Sequence, residues 1–427
     1  MSKGRAASAA TVLFNLPDYR VLHVVRDGDG ARTVTVETLS GEAACPSCGV
    51  FTSSVHQRTL QRVRDVAFDG PVTVVWDKKR WRCWEIACAR RSFAEATAQV
   101  PSRARLTTRL VAAVLVAVTV EVRAVDRVAA EFGLSWPTVA RLLAAAAEVL
   151  AAGPVRLTRA LGIDEHRFRS VRWFRTETGS WARVEPWSTV FTDLDTGAVL
   201  GVVDGRDGAA VRGWLQTRPR WWRQRVQVVA IDPSAAFRAA LHPLLPNART
   251  SVDHFHLVKL ANDAVTAVRR RCAWEYRDRR GRAVDPAWAH RLLLLRGADT
   301  LSPRGWAKLT RVLSIDDPSN EIGAAWAIKE QLRALLATTT VADARAARAV
   351  LAQYVTTADM AETTKLMRTL DRWWDPIEVF ITTRVTNAKS EAANLTCKNL
   401  KRTGRGYRNQ GNYHARIMLY SAARMAA

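Results

Sequence analysis

Leu161-Gly-Ile-Asp-Glu-His166 and Val228-Val-Ala-Ile-Asp-Pro-Ser234 are two short apolar runs, each closing on an aspartate. A continuous apolar run of roughly four to eight residues, bounded by turn formers, fits a buried strand. Asp164 then stands at the end of one strand and Asp232 directly after another. A strand-end aspartate can simply cap the turn that follows. Two of them on neighbouring strands can instead converge on a hard cation. Magnesium takes oxygen ligands and keeps several waters, so two or three carboxylates suffice.

Outward from these runs, strand-like stretches at 189–194, 198–203 and 250–252 alternate with helical ones near 209–217 and 235–241. Residues 257–374 read almost entirely helical and basic. A last helical, basic segment, 384–427, holds nine Lys/Arg and a single carboxylate, Glu391, in Thr386-Asn-Ala-Lys-Ser-Glu-Ala-Ala-Asn394. A lone glutamate there is either a solvated ion-pair partner or a metal ligand beside a phosphate backbone. The order is a strand with Asp164, two strands, a helix, a strand with Asp232, a helix, a short strand and a late helix with Glu391. This is the ribonuclease H-like order, which sets the first and fourth strands side by side and lays the late glutamate across their ends. Two divalent ions about 3.5–4 Å apart on such carboxylates activate water or a 3′-hydroxyl and stabilise the leaving oxygen of a phosphodiester.

Upstream, Cys45-Pro-Ser-Cys48 and Cys83-Trp-Glu-Ile-Ala-Cys88 are two knuckles 34 residues apart. Zinc binds four thiolates tetrahedrally, and a short turn points two sulfurs at one ion. Strand-like residues at 72–76 and 80–84 would carry the second knuckle, as in a zinc ribbon. The bland alternative is four buried, inert cysteines. His56 reads as a surface histidine, and Cys272 and Cys397 as free thiols.

Residues 125–141 carry a helix-turn-helix pattern. An apolar helix ends at Gly133, which can take the left-handed turn. Ser135 can cap a second helix, with Val139 and Leu142 inward and Trp136, Thr138 and Arg141 outward, as a recognition helix requires. An ordinary helical hairpin is the competing reading.

The charge supports a polyanion partner. Lys and Arg number 64 against 40 Asp and Glu, a net +24. Such an excess favours nucleic acid. The dense basic stretches are Arg269, Arg270 and Arg271 with Trp274, and Lys398, Lys401, Arg402, Arg405 and Arg408. Such side chains contact phosphates without reading sequence. Trp221, Trp222, Trp274, Trp373 or Trp374 could stack on unpaired bases, although core packing is the better reading for each. The longest apolar stretch, 110–120, is 11 residues, short of the roughly 20 a spanning helix needs. Membrane insertion and secretion are therefore not expected.

Taken together, the chain resembles the DDE transposases of bacterial insertion sequences, of the ISL-three type. The resemblance rests on Gly162-Ile-Asp-Glu165, Thr192-Asp-Leu-Asp-Thr-Gly197, Ile231-Asp232, Asp253-His-Phe-His-Leu-Val-Lys259, Asn387-Ala-Lys-Ser-Glu391 and Gly406-Tyr-Arg-Asn409, with the cysteine knuckles and the helix-turn-helix. It spans nearly the whole chain. It implies a catalytic triad of Asp164, Asp232 and Glu391 holding two Mg2+ (or Mn2+) per site. Asp253 and His256 match an Asp-x-x-His motif. Glu165, Asp193, Asp195, Asp204 and Asp253 are neighbouring acids that could supplement or replace a triad member. The implied partners are the element's terminal inverted repeats and target DNA, bound by a homodimer or larger assembly in the bacterial cytoplasm, at the nucleoid. Two alternatives share parts of this pattern: a non-catalytic DNA-binding regulator, and a ribonuclease H-like nuclease without strand transfer.

The expected fold is multidomain α+β. Residues 1–100 form a zinc-binding domain and 101–155 a helix-turn-helix domain. Residues 156–256 form the first part of a ribonuclease H-like core, 257–375 a helical insertion, and 376–427 the last part of the core with the Glu helix.

Overall fold

The computed structural model describes residues 8–426. It divides into two compact units. One comprises the residues up to Gly153 together with those from Asn399 on; the other is Pro154–Lys398.

The first unit opens with α1 (Ala9–Phe14), β1 (Tyr19–Arg26) and β2 (Arg32–Thr38). Two short strands follow, β3 (Ala43–Ala44) and β4 (Phe51–Thr52), and then the long β5 (Val55–Asp65), β6 (Val72–Arg82) and the short β7 (Ser92–Ala94). The sheet order is β1-β2-β6-β5, with β7 paired to β6. Side chains alternate across a strand, so Val34, Val36, Val72, Val74 and Trp76 fall on one face and bury against Leu16, Tyr19 and Val100. The strand-like stretches expected at 72–76 and 80–84 merge into one continuous strand, β6, which ends at Arg82 and leaves residues 83–84 outside it. Its far end passes Trp81 into a second cluster with Phe93, Cys45, Cys83 and Cys88. The cysteine knuckles are thus an extension of a larger sheet.

Three helices follow: α2 (Thr108–Thr119), α3 (Val125–Glu131) and α4 (Trp136–Ala151). They share a core of Leu110, Val114, Val118, Val128 and Val139. Gly133 turns the chain at φ +61°. Ser135 caps α4, its side chain accepting from the Thr138 N–H. α3 and α4 meet at 114°. Buried Asp65, at the end of β5, ties α2 to the sheet: it accepts from Thr107 Oγ1 at 2.6 Å and Arg109 Nε at 2.8 Å. Arg109 also donates to the Phe14 and Asn15 carbonyls. Among the described residues, no single helix is long and apolar enough to cross a membrane.

The second unit holds β8 (Ala160–Arg167), a ribbon of β9 (Arg172–Arg175) and β10 (Trp181–Val184), then β11 (Trp187–Asp193) and β12 (Val199–Asp204). After them come α5 (Gly208–Gln216), α6 (Arg220–Arg225), β13 (Val228–Ile231), α7 (Ala235–Leu241) and β14 (Arg249–Val252). Its main sheet runs β12-β11-β8-β13-β14. β11 is antiparallel to β12 and β8, whereas β13 is parallel to β8 and β14. The strands carrying Asp164 and preceding Asp232 are neighbours, as the element order implies.

The helices after β14 are α8 (His254–Arg277), α9 (Pro286–Ala289), α10 (Arg291–Leu295), α11 (Pro303–Asp316), α12 (Glu321–Ala337), α13 (Val341–Ala358), α14 (Ala361–Arg372) and α15 (Trp374–Thr383). They do not form a core of their own. Leu257, Val268, Leu332, Leu351 and Ile377 belong to the same apolar cluster as Ile163, Phe191 and Ile231 of the sheet. Phe191 stacks on Trp214 with ring centroids 3.8 Å apart. α16 (Ala388–Thr403) and α17 (Gln410–Ala426) end the chain.

The division differs from the expected 376–427 domain. It falls inside α16, and residues from Asn399 on join the first unit. The cause is packing: α17 buries Tyr413 and Ile417 and lies against α4 and α2. Arg416 on its inner face donates to the Arg123 carbonyl at 3.0 Å.

Candidate active site

Register brings the acids together. Ile231 of β13 pairs with Ile163 of β8 on one side and Val252 of β14 on the other. The residue after each is an aspartate, so Asp164, Asp232 and Asp253 stand in one row at the same sheet edge. Adjacent strands lie about 4.8 Å apart, which sets the spacing of the row.

Asp253 caps α8, which places His256 in the first turn over the row. His256 Nδ1 lies 3.1 Å from Asp253 Oδ2 and 3.1 Å from Asp232 Oδ1. One N–H satisfies one acceptor, and the hydrogen bond goes to Asp253. Asp232 Oδ1 is left buried without a hydrogen-bond partner. Asp232, Asp253 and His256 each bring a ligand atom within 4.8 Å of the others.

The electrostatics follow from this crowding. Burial, with Asp164, Glu165 and Asp253 nearby, pushes the Asp232 carboxyl up to about 7 against the pull of His256. Burial also raises Asp164. For Asp253, burial is outweighed by the imidazoles of His254 and His256, which hold it well below the usual carboxylate range. The hydrogen bond to Asp253 raises His256.

Glu391 lies in the first turn of α16. Burial raises it, and the charges of Asp253 and Asp164 add to the rise. The start of α16 sits close on β8 because β8 has Gly162 there. A Cβ at that position would collide with the Ser390 hydroxyl, Leu194 and Asn387. Asn387 Nδ2 donates to the Ile163 carbonyl at 3.2 Å. One turn beyond Glu391, Asn394 Nδ2 donates to Asp164 Oδ2 at 2.6 Å, and its Oδ1 lies 2.9 Å from Nδ1 of buried His166. Asn394 stood within the quoted motif, but its role was invisible in sequence because its partners are more than 200 residues away.

The remaining acids separate. Glu165 is half-buried beside Asp164, which raises it further after burial. Asp193 accepts the N–H groups of Asp195 and Thr196, as a turn cap does. Asp195 pairs with Arg159 at 2.6 Å, and Asp204 is exposed.

In the first unit, Cys45, Cys48, Cys83 and Cys88 have sulfurs within 4.8 Å of one another. Cys45 and Cys88 are 4.0 Å apart, Cys48 and Cys83 3.6 Å. Zn–S bonds of about 2.3 Å in a tetrahedron need sulfurs about 3.8 Å apart, so the four fit one ion. His56 is exposed on β5 and outside the cluster. Cys272 and Cys397 are buried, and neither is in a disulfide.

The basic residues fare unequally. Arg270, Lys398, Arg402, Arg405 and Arg408 are exposed and Lys401 half-buried. Arg269 is buried, and Arg271 is held by Glu362, Glu321 and Glu275 at 2.8–3.1 Å. Neither is presented to a phosphate. Trp136 and Arg141 are exposed and Thr138 half-buried. Trp136, Arg405 and Arg408 line one cleft of about 440 Å3 with Arg123 and Arg416. Trp222, Trp373 and Trp374 are buried, whereas Trp221 and Trp274 are exposed.

A strongly basic chain with a four-thiol knuckle in one unit and a row of carboxylates at a sheet edge in the other has the build of an enzyme that works on DNA. The sequence profile of the ISL3-type DDE transposases matches residues 161–417, and the chain belongs to that transposase family. Residues 41–88 match the zinc finger of the transposases of IS204, IS1001, IS1096 and IS1165, so the four cysteines form a structural zinc site. The transposase for insertion sequence element IS1001 of Bordetella parapertussis is 25% identical over 403 residues, 93% of this chain and 94% of the relative. As a transposase, the protein binds DNA, cleaves it and transfers strands.

Proposed function

We propose that this transposase recognises the terminal inverted repeats of its own insertion sequence and works through a triad of Asp164, Asp232 and Glu391 in a ribonuclease H-like core. The carrying observation is the row of aspartates with a buried Asp232 oxygen lacking a hydrogen bond. That is the donor set a hard divalent ion seeks. Two Mg2+ (or Mn2+) held there would activate water or a 3′-hydroxyl and stabilise the leaving oxygen. The chain's own groups do the rest. His256 keeps Asp253 and Asp232 in register. Asn394 aims Asp164. Lys398, whose charge reaches Asp164, offers a cation to the phosphate.

In this reading Trp136, Thr138 and Arg141 face the major groove of the repeats. Arg270, Lys398, Lys401, Arg402, Arg405 and Arg408 position backbone phosphates, and the zinc module contributes to end recognition. Joining two ends to target DNA calls for a homodimer or larger assembly, acting at the bacterial nucleoid. A second reading makes Asp253 a ligand in place of Glu391, favoured by its closeness to Asp232.

The test is a donor plasmid bearing the element's ends, incubated in Mg2+ with wild type and Asp232→Asn. Cleaved ends and joined products from wild type alone, with equal DNA binding, are expected. An Asp232→Asn protein that cuts and joins like wild type removes the triad assignment. Binding without cleavage by either protein favours the regulator. Glu391→Gln against Asp253→Asn separates the two ligand sets.

A further inference from the structure

The ribbon of β9 and β10 pairs with no other strand among the described residues. Its register sets Trp173 opposite Arg183 and Arg175 opposite Trp181. Directly paired residues share a face. One face therefore carries two indoles and two guanidinium groups in a checkerboard. Trp173 is 57% exposed and Trp181 66%; Phe174, on the other face, is 50% exposed. These rings add nothing to the core, and exposed aromatic rings interleaved with arginines are the kind of surface on which bases stack.

Topology places the ribbon. It is inserted between β8 and β11. β8 leaves the sheet at the edge where Asp164, Asp232 and Asp253 stand. Arg172 is eight steps along the chain from Asp164, so the ribbon starts within about 26 Å of the row at roughly 3.3 Å per residue. Between 167 and 185 there are five arginines against Glu177 and Glu185. Glu185 pairs with Arg183 and Arg167, whose guanidinium side chains still stay 54% and 45% exposed.

We propose that this ribbon binds unpaired DNA bases beside the scissile phosphodiester, Trp173 and Trp181 stacking on the bases and Arg175 and Arg183 taking the phosphates. The proposal rests on the transposase reading for the identity of the ligand. A two-stranded ribbon can also enter the major groove of a duplex, but there it reads base edges with polar side chains. An indole has one donor and a large ring face, which suits stacking on an exposed base.

The experiment measures affinity of the full chain for labelled single-stranded oligothymidylate and for a labelled mixed-sequence duplex. It compares wild type, W173A/W181A, W173F/W181F and W306A. Trp306 is an exposed tryptophan on α11 and serves as the control. Stacking is worth roughly tenfold per base in affinity. W173A/W181A is expected to bind the single strand about a hundredfold more weakly, with duplex affinity unchanged. W173F/W181F and W306A should stay near wild type. An unchanged single-strand affinity in W173A/W181A, an equal loss on both probes, or no single-strand binding by wild type each overturns the proposal. Mg2+-dependent cleavage of the element's ends is measured on the same preparations. Failed cleavage with the ribbon effect intact counts against the triad alone, and cleavage without the ribbon effect counts against the ribbon alone.

Discussion

Asn394 holds one oxygen of Asp164, while the Glu165 N–H holds the other. Its amide nitrogen donates to one Asp164 oxygen, and its carbonyl oxygen engages His166, itself buried. Partners that orient a ligand set are worth about 10–100-fold in affinity or activity. Asn394→Ala should cut end cleavage by that range while leaving the circular dichroism spectrum unchanged. Asn394→Asp should do worse, because it sets a carboxylate against a carboxylate. Equal single-turnover rates in wild type and both variants would remove Asn394 from the site. At this scale the acids were legible because aspartates at the ends of apolar runs and a lone glutamate in a basic segment are local signals. Arg269 and Arg271 were misread for the complementary reason: whether an arginine meets solvent or three glutamates is decided by helices far along the chain.

The helix α16 owes its seat to Gly162 of β8. With any Cβ there, Ser390, Leu194 and Asn387 would have to give way. Gly162→Ala should therefore lift the start of α16 and carry Glu391 away from Asp164. Overpacking of this kind costs about 1–3 kcal/mol. The expected outcome is a fold that melts lower, retains its zinc and loses Mg2+-dependent cleavage almost completely. Full cleavage by Gly162→Ala would show that the close approach does not set the site. The strands β8 and β13 were readable because burial on both faces writes a continuous apolar run. The ribbon β9–β10 was not, since exposed Arg and Trp residues follow no burial period. Its one local cue was the turn at Gly179, at φ +81°.

At the level of the whole chain, the two units have separate cores. Zinc serves only the first. A zinc-selective chelator should release the metal and expose the 41–88 region to protease, while the unfolding transition of the second unit stays in place. A single transition that shifts as a whole on zinc removal would count against two independent cores. The order of elements was legible from the Gly133–Ser135 turn and from the alternation of apolar runs with helical stretches. The placement of the final residues was not, because an amphipathic helix does not name the surface it covers. That placement has a consequence in time. α17 covers α4 and α2, yet all of Pro154–Lys398 is made between them. At about 5–20 residues per second of synthesis, the surface awaiting α17 stays open for tens of seconds. The first unit is thus finished only after all of Pro154–Lys398 has been synthesised.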